Sequence, residues 1–478
     1  MKKNYFLVFS LFVSFLLSTG LASQPVEFTS LSQKIDSLLH DFGENINIGI
    51  LVQDAKTGEI LYQKDSDRYF TPASNQKLFT AFAALHDLGP DFSYQTRLYL
   101  NPEKIDRNNL NDDLYIQFTG DPSLTFTQLD KLINSLSQAG IQTITGKIIV
   151  DDLAFDEMVM SPGTAWEDQD FCWSSPISAS TIEHNCVSAT VGPANEVNQP
   201  ALLKLPPYPQ SMRFINQVVT RPAGAKNCVI MVKRSAPDTY TLSGCIQLKA
   251  AAQTIEMAVR NPRDNIRLVL NYLLKKNNIV TDGKISFQKL AISFKPFATQ
   301  SSPPLKVLVS TMLKKSDNTI ADALFKTMGA MHAGVPGSFK KGSKAVRDIL
   351  AETIQINFPK TTFIDGSGGS RYNFLTPQQI VILLQNIFLL PDASDFISSL
   401  AVAGVDGTLK ERMKDPLTQG KIWAKTGSET AVTSLSGYLE TRKKRTLIFS
   451  IMINGFTDPA SKYKALEDKI CKILVEAG

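Results

Sequence analysis

The sequence predicts an α+β fold in which one antiparallel sheet with packed helices is interrupted by a large β-rich insertion. Three observations carry that prediction. Strand-like alternation stands near both ends of the 478-residue chain, helical spacing borders the middle third on either side, and the middle itself is built of short strands and turns. The length exceeds what one hydrophobic core organises, so two or three units are expected.

The elements follow in chain order. Lys2 and Lys3, an apolar run over residues 5–17 and the small residues 18–23 read as a secretory signal peptide, residues 1–23, cut after Ala22 or Ser23. The run is short for a membrane span of about 20 residues, and no cysteine near the cut offers a lipid attachment point. No later run is long and apolar enough to cross a bilayer, so no transmembrane anchor is expected after cleavage. Residues 47–54 and 59–64 form a hairpin around Ala55-Lys56-Thr57-Gly58. A helix then opens at Ser74, with Leu78, Phe82, Leu85 and Leu88 at 3–4-residue spacing and Gly89 as its stop.

From residue 94 to 296 the character changes to short strands such as 114–118 and 147–150, one helix near 127–137 and frequent turns. This stretch is expected to be an inserted accessory module of two β-rich subdomains, one nested in the other. Past the linker Gln300-Ser301-Ser302-Pro303-Pro304 the chain is helical over 307–328. Strands at 421–424, 434–440 and 446–453 and a helix near 460–477 complete it. Residues 24–93 and 297–478 are thereby expected to form one catalytic domain whose two hairpin regions share a sheet. The last helix carries the stripe Tyr463, Leu466, Ile470 and Leu474, which is expected to pack on that sheet.

Composition narrows the functional classes. A 43% hydrophobic and 20% charged chain folds into a globule, and a net charge of +5 spread over this length makes no basic face for nucleic acid. Cys172, Cys186, Cys228 and Cys245 cluster in the middle third, and export lets disulfides persist there. The simplest of the three possible pairings joins Cys172 to Cys186 and Cys228 to Cys245, each bridge worth about 3 kcal/mol in the chain-entropy model. Cys471 is expected as a buried free thiol. His40, His86, His184 and His332 show no metal-ligand spacing, and neither metal nor other cofactor is expected. The sequence leaves oligomerisation open.

Three short motifs carry the chemistry. Ser74-Asn75-Gln76-Lys77 places an amine one helical turn from a hydroxyl, which becomes a nucleophile when a base takes its proton. The helix start also offers a backbone N–H to an oxyanion. Ser316-Asp317-Asn318 adds a hydroxyl able to pass a proton to a leaving amine and an amide able to bond a substrate carbonyl and Lys77 together. Lys425-Thr426-Gly427-Ser428 closes a strand with a positive, polar end suited to a carboxylate. Gly427 allows close backbone approach there, and the Ser428 N–H is a second oxyanion donor. Taken singly, the first two motifs also read as helix caps and the third as a solvated strand end. Ser-x-x-Lys recurs at Ser286/Lys289, Ser338/Lys341 and Ser461/Lys464, and a second Lys-Thr-Gly lies in the hairpin turn at Lys56, so order and the single Ser-x-Asn do the discriminating.

With these motifs the chain resembles the class C low-molecular-mass penicillin-binding proteins, a family of D-Ala-D-Ala carboxypeptidases and endopeptidases, over nearly all of residues 24–478. The resemblance extends to Phe70-Thr71-Pro72-Ala73-Ser74, Leu88-Gly89-Pro90-Asp91-Phe92, Gly120-Asp121-Pro122-Ser123, Asp365-Gly366-Ser367-Gly368, Ser370-Arg371-Tyr372-Asn373 and Gly404-Val405-Asp406-Gly407-Thr408-Leu409. It implies a penicillin-binding/β-lactamase-like transpeptidase fold and an acyl-enzyme on Ser74. The implied substrates are peptidoglycan stem peptides, with β-lactams as covalent inhibitors, and the implied location is the periplasm. It also implies two bridges among the clustered cysteines, an acidic contact to the diamino acid at Asp168 in Trp166-Glu167-Asp168, and a peptide-carboxylate contact at Arg371. Where the family usually has Leu after Asp-Gly-Ser-Gly, this chain has Gly369. Two other readings share features. A serine β-lactamase of class A places a Glu-x-x-x-Asn base between the last two motifs, whereas Glu352 and Glu411 here lack that asparagine. An inactive wall-binding scaffold is disfavoured by three complete motifs.

Overall fold

The computed structural model describes residues 26–42, 45–354 and 360–477; the expected signal peptide lies outside them. Helix α1 (Val26–His40) leads into β1 (Asn47–Asp54) and β2 (Ile60–Lys64), whose turn ties the Asp54 carboxylate to the N–H groups of Lys56 and Thr57. The early Lys-Thr-Gly is thus a hairpin turn. A central six-stranded sheet continues with β3 (Ala401–Val402), β4 (Ile422–Glu429), β5 (Val432–Glu440) and β6 (Thr446–Asn454), in the order β3-β4-β5-β6-β1-β2. The join between chain ends is the antiparallel pairing of β1 with β6, Asn47 opposite Asn454 through Asp54 opposite Leu447. Because β5 and β6 are covered on both faces they read as near-continuous buried runs rather than alternating ones.

One face of the sheet packs on α1 and on α7 (Ala460–Glu476), where Tyr463, Leu466, Ile470 and Leu474 are buried as expected beside a buried, unbridged Cys471. The other face covers α2 (Lys77–Leu88), α3 (Leu305–Lys315), α4 (Asn318–Ala333), α5 (Phe339–Thr353) and α6 (Pro377–Phe388). Helix α2 is buried nearly all round and is the axis of this layer. The helical stretch expected over 307–328 is two helices. Ser316 adopts a left-handed φ of 62° and Asp317 caps α4, its carboxylate accepting from the Ile320 N–H at 2.9 Å.

Between α2 and α3 the chain builds a five-stranded sheet from residues 95–99, 114–118, 148–151, 285–287 and 298–301, and within that stretch two smaller sheets from residues 186–258. Two expectations are corrected here. Ala298–Ser301, assigned to the catalytic part, pairs with residues 95–98 as an edge of the insertion's sheet. The insertion also has a second helix, Pro262–Lys276, that was not expected, and with the expected helix Phe126–Gln138 it buries Leu129, Leu132, Ile133, Val269, Leu270 and Leu273 into the core of that sheet. Cys172–Cys186 and Cys228–Cys245 are bonded, with Cα separations of 5.3 and 5.1 Å. Among the described residues no helix is long and apolar enough to cross a membrane.

Gly437 sits in the middle of β5, where an added Cβ would overlap the Trp423 carbonyl and crowd Ala424 on the neighbouring strand. Gly437→Ala is expected to cost about 1–3 kcal/mol by overpacking, read as a lowered urea midpoint with an unchanged slope.

Candidate active site

The chain enters the site at Pro72, and Ala73 adopts a left-handed φ of 47°. Residues Ala73–Gln76 make one 3₁₀ turn before α2 begins, so Ser74 stands just ahead of the α-helix that sequence spacing placed it in. Lys77, the first residue of α2, is fully buried. Its Nζ donates to Ser74 Oγ at 2.8 Å, Asn318 Oδ1 at 2.5 Å and the Ser367 carbonyl at 2.7 Å. Burial pushes the ammonium down to about 8, against the opposing pull of Asp322, Asp365, Asp317 and Glu429.

The break at Ser316 delivers the second motif. Asn318 turns one amide atom to Lys77 and the other to the insertion, its Nδ2 donating to the Trp173 carbonyl at 2.6 Å. Ser316 Oγ accepts instead from Lys425 Nζ at 2.9 Å, so the hydroxyl is on the strand side of the cleft. Lys425 is also fully buried, and burial followed by the nearby Lys77 charge holds it well below the usual lysine range. Beside it on β4, Thr426 donates to Thr408 Oγ1 at 2.8 Å and Ser428 is exposed. A Cβ on Gly427 would overlap Ser434 Oγ and crowd the Pro72 carbonyl, which is why β4 lies so close to the nucleophile turn.

The third wall was not assigned a role from sequence. The loop Asp365-Gly366-Ser367-Gly368 brings the Ser367 carbonyl to Lys77, and Gly368, at φ 83°, leaves no room for a side chain against the Ala73 carbonyl. Asp322, one turn beyond Asn318 on α4, accepts from the Gly366 and Ser367 N–H groups, both at 2.8 Å. Its carboxyl is pushed up to about 7 by burial and by the neighbouring Asp365. Asp365 in turn accepts from Gly368 N, Ser370 N, Asn373 Nδ2 and Ser161 Oγ. A helical i, i+4 spacing from Asn318 was the available signal for Asp322.

Ser74, Asp168, Trp173, Ser316, Asn318, Ser428 and Glu429 line one cleft of about 370 Å³. Asp168 therefore reaches the Ser74 cleft from the insertion, in the turn Trp166–Asp168. Arg371 is engaged within the protein: its guanidinium lies 3.0 Å from Glu429 and donates to the Thr430 carbonyl at 2.9 Å. Glu429, missed by sequence because it lies just past the last motif, is pushed up to about 8 by burial, Arg371 opposing and Asp365 and Asp168 adding to the rise. Glu352 and Glu411 are exposed and do not line this cleft. Among the described residues no cluster of His, Cys, Asp and Glu is arranged to hold a metal ion.

Residues 31–476 match the family described as D-Ala-D-Ala carboxypeptidase 3 (S13). The chain is 30% identical over 456 residues to the D-alanyl-D-alanine carboxypeptidase DacB of Haemophilus influenzae, covering 94% of each. It is 31% identical over 463 residues to the D-alanyl-D-alanine carboxypeptidase of an Actinomadura species, covering 94% of this chain and 85% of that one. The crystal structure of penicillin binding protein 4 (dacB) from Haemophilus influenzae superposes with a TM-score of 0.83 at 29% identity, over 92% of this chain and 99% of that one. That protein has also been crystallised with a novel β-lactam, with a TM-score of 0.78 at 28% identity over the same shares. The match across nearly the whole length, joined to a serine hydroxyl bonded to a buried lysine beside the last motif strand, shows that the chain belongs to the D-Ala-D-Ala carboxypeptidase 3 (S13) family of serine-type peptidases.

Proposed function

We propose that the protein is a serine DD-peptidase that removes the terminal D-alanine from peptidoglycan stem peptides and opens their cross-links through an acyl-enzyme on Ser74, which β-lactams also acylate. The observation that carries this reading is the set of partners around Lys77. An ammonium has three N–H groups and meets three acceptors. Once deprotonated it keeps two N–H groups for Asn318 Oδ1 and the Ser367 carbonyl, neither of which can donate. The lone pair is then left for the Ser74 hydroxyl, the one partner that can donate.

In acylation Ser74 Oγ bonds to the substrate carbonyl carbon while its proton passes to Lys77 Nζ. The C–N bond breaks as the departing amine receives a proton through Ser316, whose hydroxyl is seated on Lys425. Water then attacks the ester, the Ser74 oxygen leaves and regains its proton, and the shortened peptide departs as a carboxylate. The Ser428 N–H and the helix start serve the oxyanion, while Lys425, Thr426 and Ser428 take the terminal carboxylate beside Gly427. Asp168 faces the free amine of the diamino acid. A peptide carboxylate reaches Arg371 only by displacing Glu429. The insertion, residues 94–301 with its edge strand, is the accessory module that supplies Asp168. Two disulfides together with the signal-like residues 1–23 support work in an oxidising compartment outside the cytoplasm, in the periplasm.

Four outcomes test this reading. Ser74→Ala is expected to abolish labelling by a fluorescent penicillin and to lower kcat/KM on muropeptides by about 10³-fold or more, and unchanged release of D-alanine or opening of cross-links would sink it. If Lys77 is the base, the neutral amine is the active form, so acylation should rise with pH and level off above about 8, losing about tenfold per unit below that. Glu429→Gln, which removes one of the carboxyls raised into that range and leaves Asp322, should leave the acid limb in place, as stopped-flow acylation across pH 5–10 would reveal. Asp168→Asn should raise KM for stem peptides with a free side-chain amine by about tenfold and leave benzylpenicillin acylation unchanged.

A further inference from the structure

Helix α4 carries three polar residues at i, i+4 and i+8: Asn318, Asp322 and Lys326. The first two hold Lys77 and the Ser367 loop. Lys326 is fully buried with no part in the three motifs, and its ammonium is spent on the insertion. It donates to Asp156 Oδ1 at 2.8 Å, to the Met158 carbonyl at 2.8 Å and to the Ile177 carbonyl at 3.5 Å. The rings of Phe339 and Phe155 lie 4.8 and 5.6 Å from the same nitrogen. Burial lowers its proton affinity, and the Asp156 carboxylate works against that.

The contacts on residues 156–158 and 177 are the two stems of one loop, closed at its base by the Ile177 N–H on the Val159 carbonyl at 2.8 Å. Its tip carries Asp168 and Trp173, which line the nucleophile's cleft. Elsewhere the loop touches the catalytic part through Ser161 on Asp365, Ser370 on the Pro162 carbonyl, the Arg371 N–H on the Gly163 carbonyl and Asn318 on the Trp173 carbonyl. The first three lie just past the first stem and the last near the tip, and the first stem is also held by the Asp156 N–H on the Gly337 carbonyl at 2.9 Å. Lys326 bonds both stems with one ammonium.

We propose that Lys326 is a positioning residue for substrate specificity: by clamping both stems of the 159–177 loop to α4 it fixes Asp168 and Trp173 opposite Ser74. Without its three donors two loop carbonyls lose buried partners and the stems part, which displaces the acyl-side wall and leaves Ser74 and Lys77 in place. The kinetic part rests on Asp168 contacting the diamino acid amine; the structural part does not.

The test compares wild type with Lys326→Met, which keeps the length and removes every donor, in the full chain. Amide hydrogen exchange is followed over residues 158–177. Kinetics use a D-Ala-D-Ala stem peptide with a free side-chain amine, the same peptide acetylated there, and benzylpenicillin. Expected are exchange in 158–177 faster by about tenfold, a KM for the free-amine peptide higher by about tenfold, and acetylated-peptide turnover and penicillin acylation within about twofold of wild type. Unchanged exchange in that segment overturns the proposal, and so does an equal fall in all three reactions, which marks general damage to α4. If Lys326→Met does not fold, Asp156→Ala removes one of the three contacts at a position that is 28% exposed, and exchange there must rise by a smaller factor or the proposal fails. If wild type treats the free and acetylated peptides alike, the Asp168 reading is what fails, and the exchange result alone decides for or against Lys326.

Discussion

A lysine ammonium shut away from water sets the terms for everything around it. Lys77 has no exposed surface, and an isolated buried charge costs several kcal/mol, so each wall of the site has to answer it. Helix α4 brings Asn318, the 365–370 loop brings a carbonyl, and Asp322 and Asp365 supply negative charge behind that loop. Across the cleft on β4, the Lys77 charge adds to burial in lowering Lys425's hold on its own proton. The balance leaves Lys77 able both to bind and to release a proton near neutrality. Its neighbours are arranged so that the serine alone receives the vacated lone pair.

How much of this was legible in the sequence follows from how local each feature is. Ser74 to Lys77 is one turn, Lys425 to Ser428 is one strand end, and both could be read without knowing the fold. The strands 47–54 and 446–454 were legible because alternation and turn residues are short-range signals, and their sharing of a sheet followed from the pairing logic. Ser316 shows the limit. Apolar residues run through 307–328 at helical spacing, and nothing in that spacing reveals the left-handed residue that splits α3 from α4 and turns the hydroxyl toward Lys425. Ser367, Asp322 and Glu429 matter through partners far away in sequence. The helix Pro262–Lys276 was readable in principle, with Asn261-Pro262 at its start and Ile266, Val269, Leu270 and Leu273 at 3–4 spacing, and was overshadowed by the β-rich character around it.

The insertion is a working wall of the site. Trp173 lies next to the bridged Cys172 and lends its carbonyl to Asn318, so the disulfide-linked part is bonded directly to a motif residue. Asp365, which helps set the charge on Lys77, also accepts from Ser161 of the same segment. Asp365 and Asn318 thereby hold partners in the insertion while also standing beside Lys77.

The pairing of β1 with β6 also governs when the molecule can act. The turn bearing Ser74 is held from below by β5, through Ser434 on the Pro72 carbonyl and Asn75 on Ser436, and β5 is itself flanked by β6. In a chain synthesised from its N-terminus, the nucleophile is made early and its support last, while the insertion's own cores can form in the interval. The long contact order delays closure of the sheet until residue 454 exists. A chain that lacks β5 and β6 therefore carries the Ser74 turn without the strand that holds it from below.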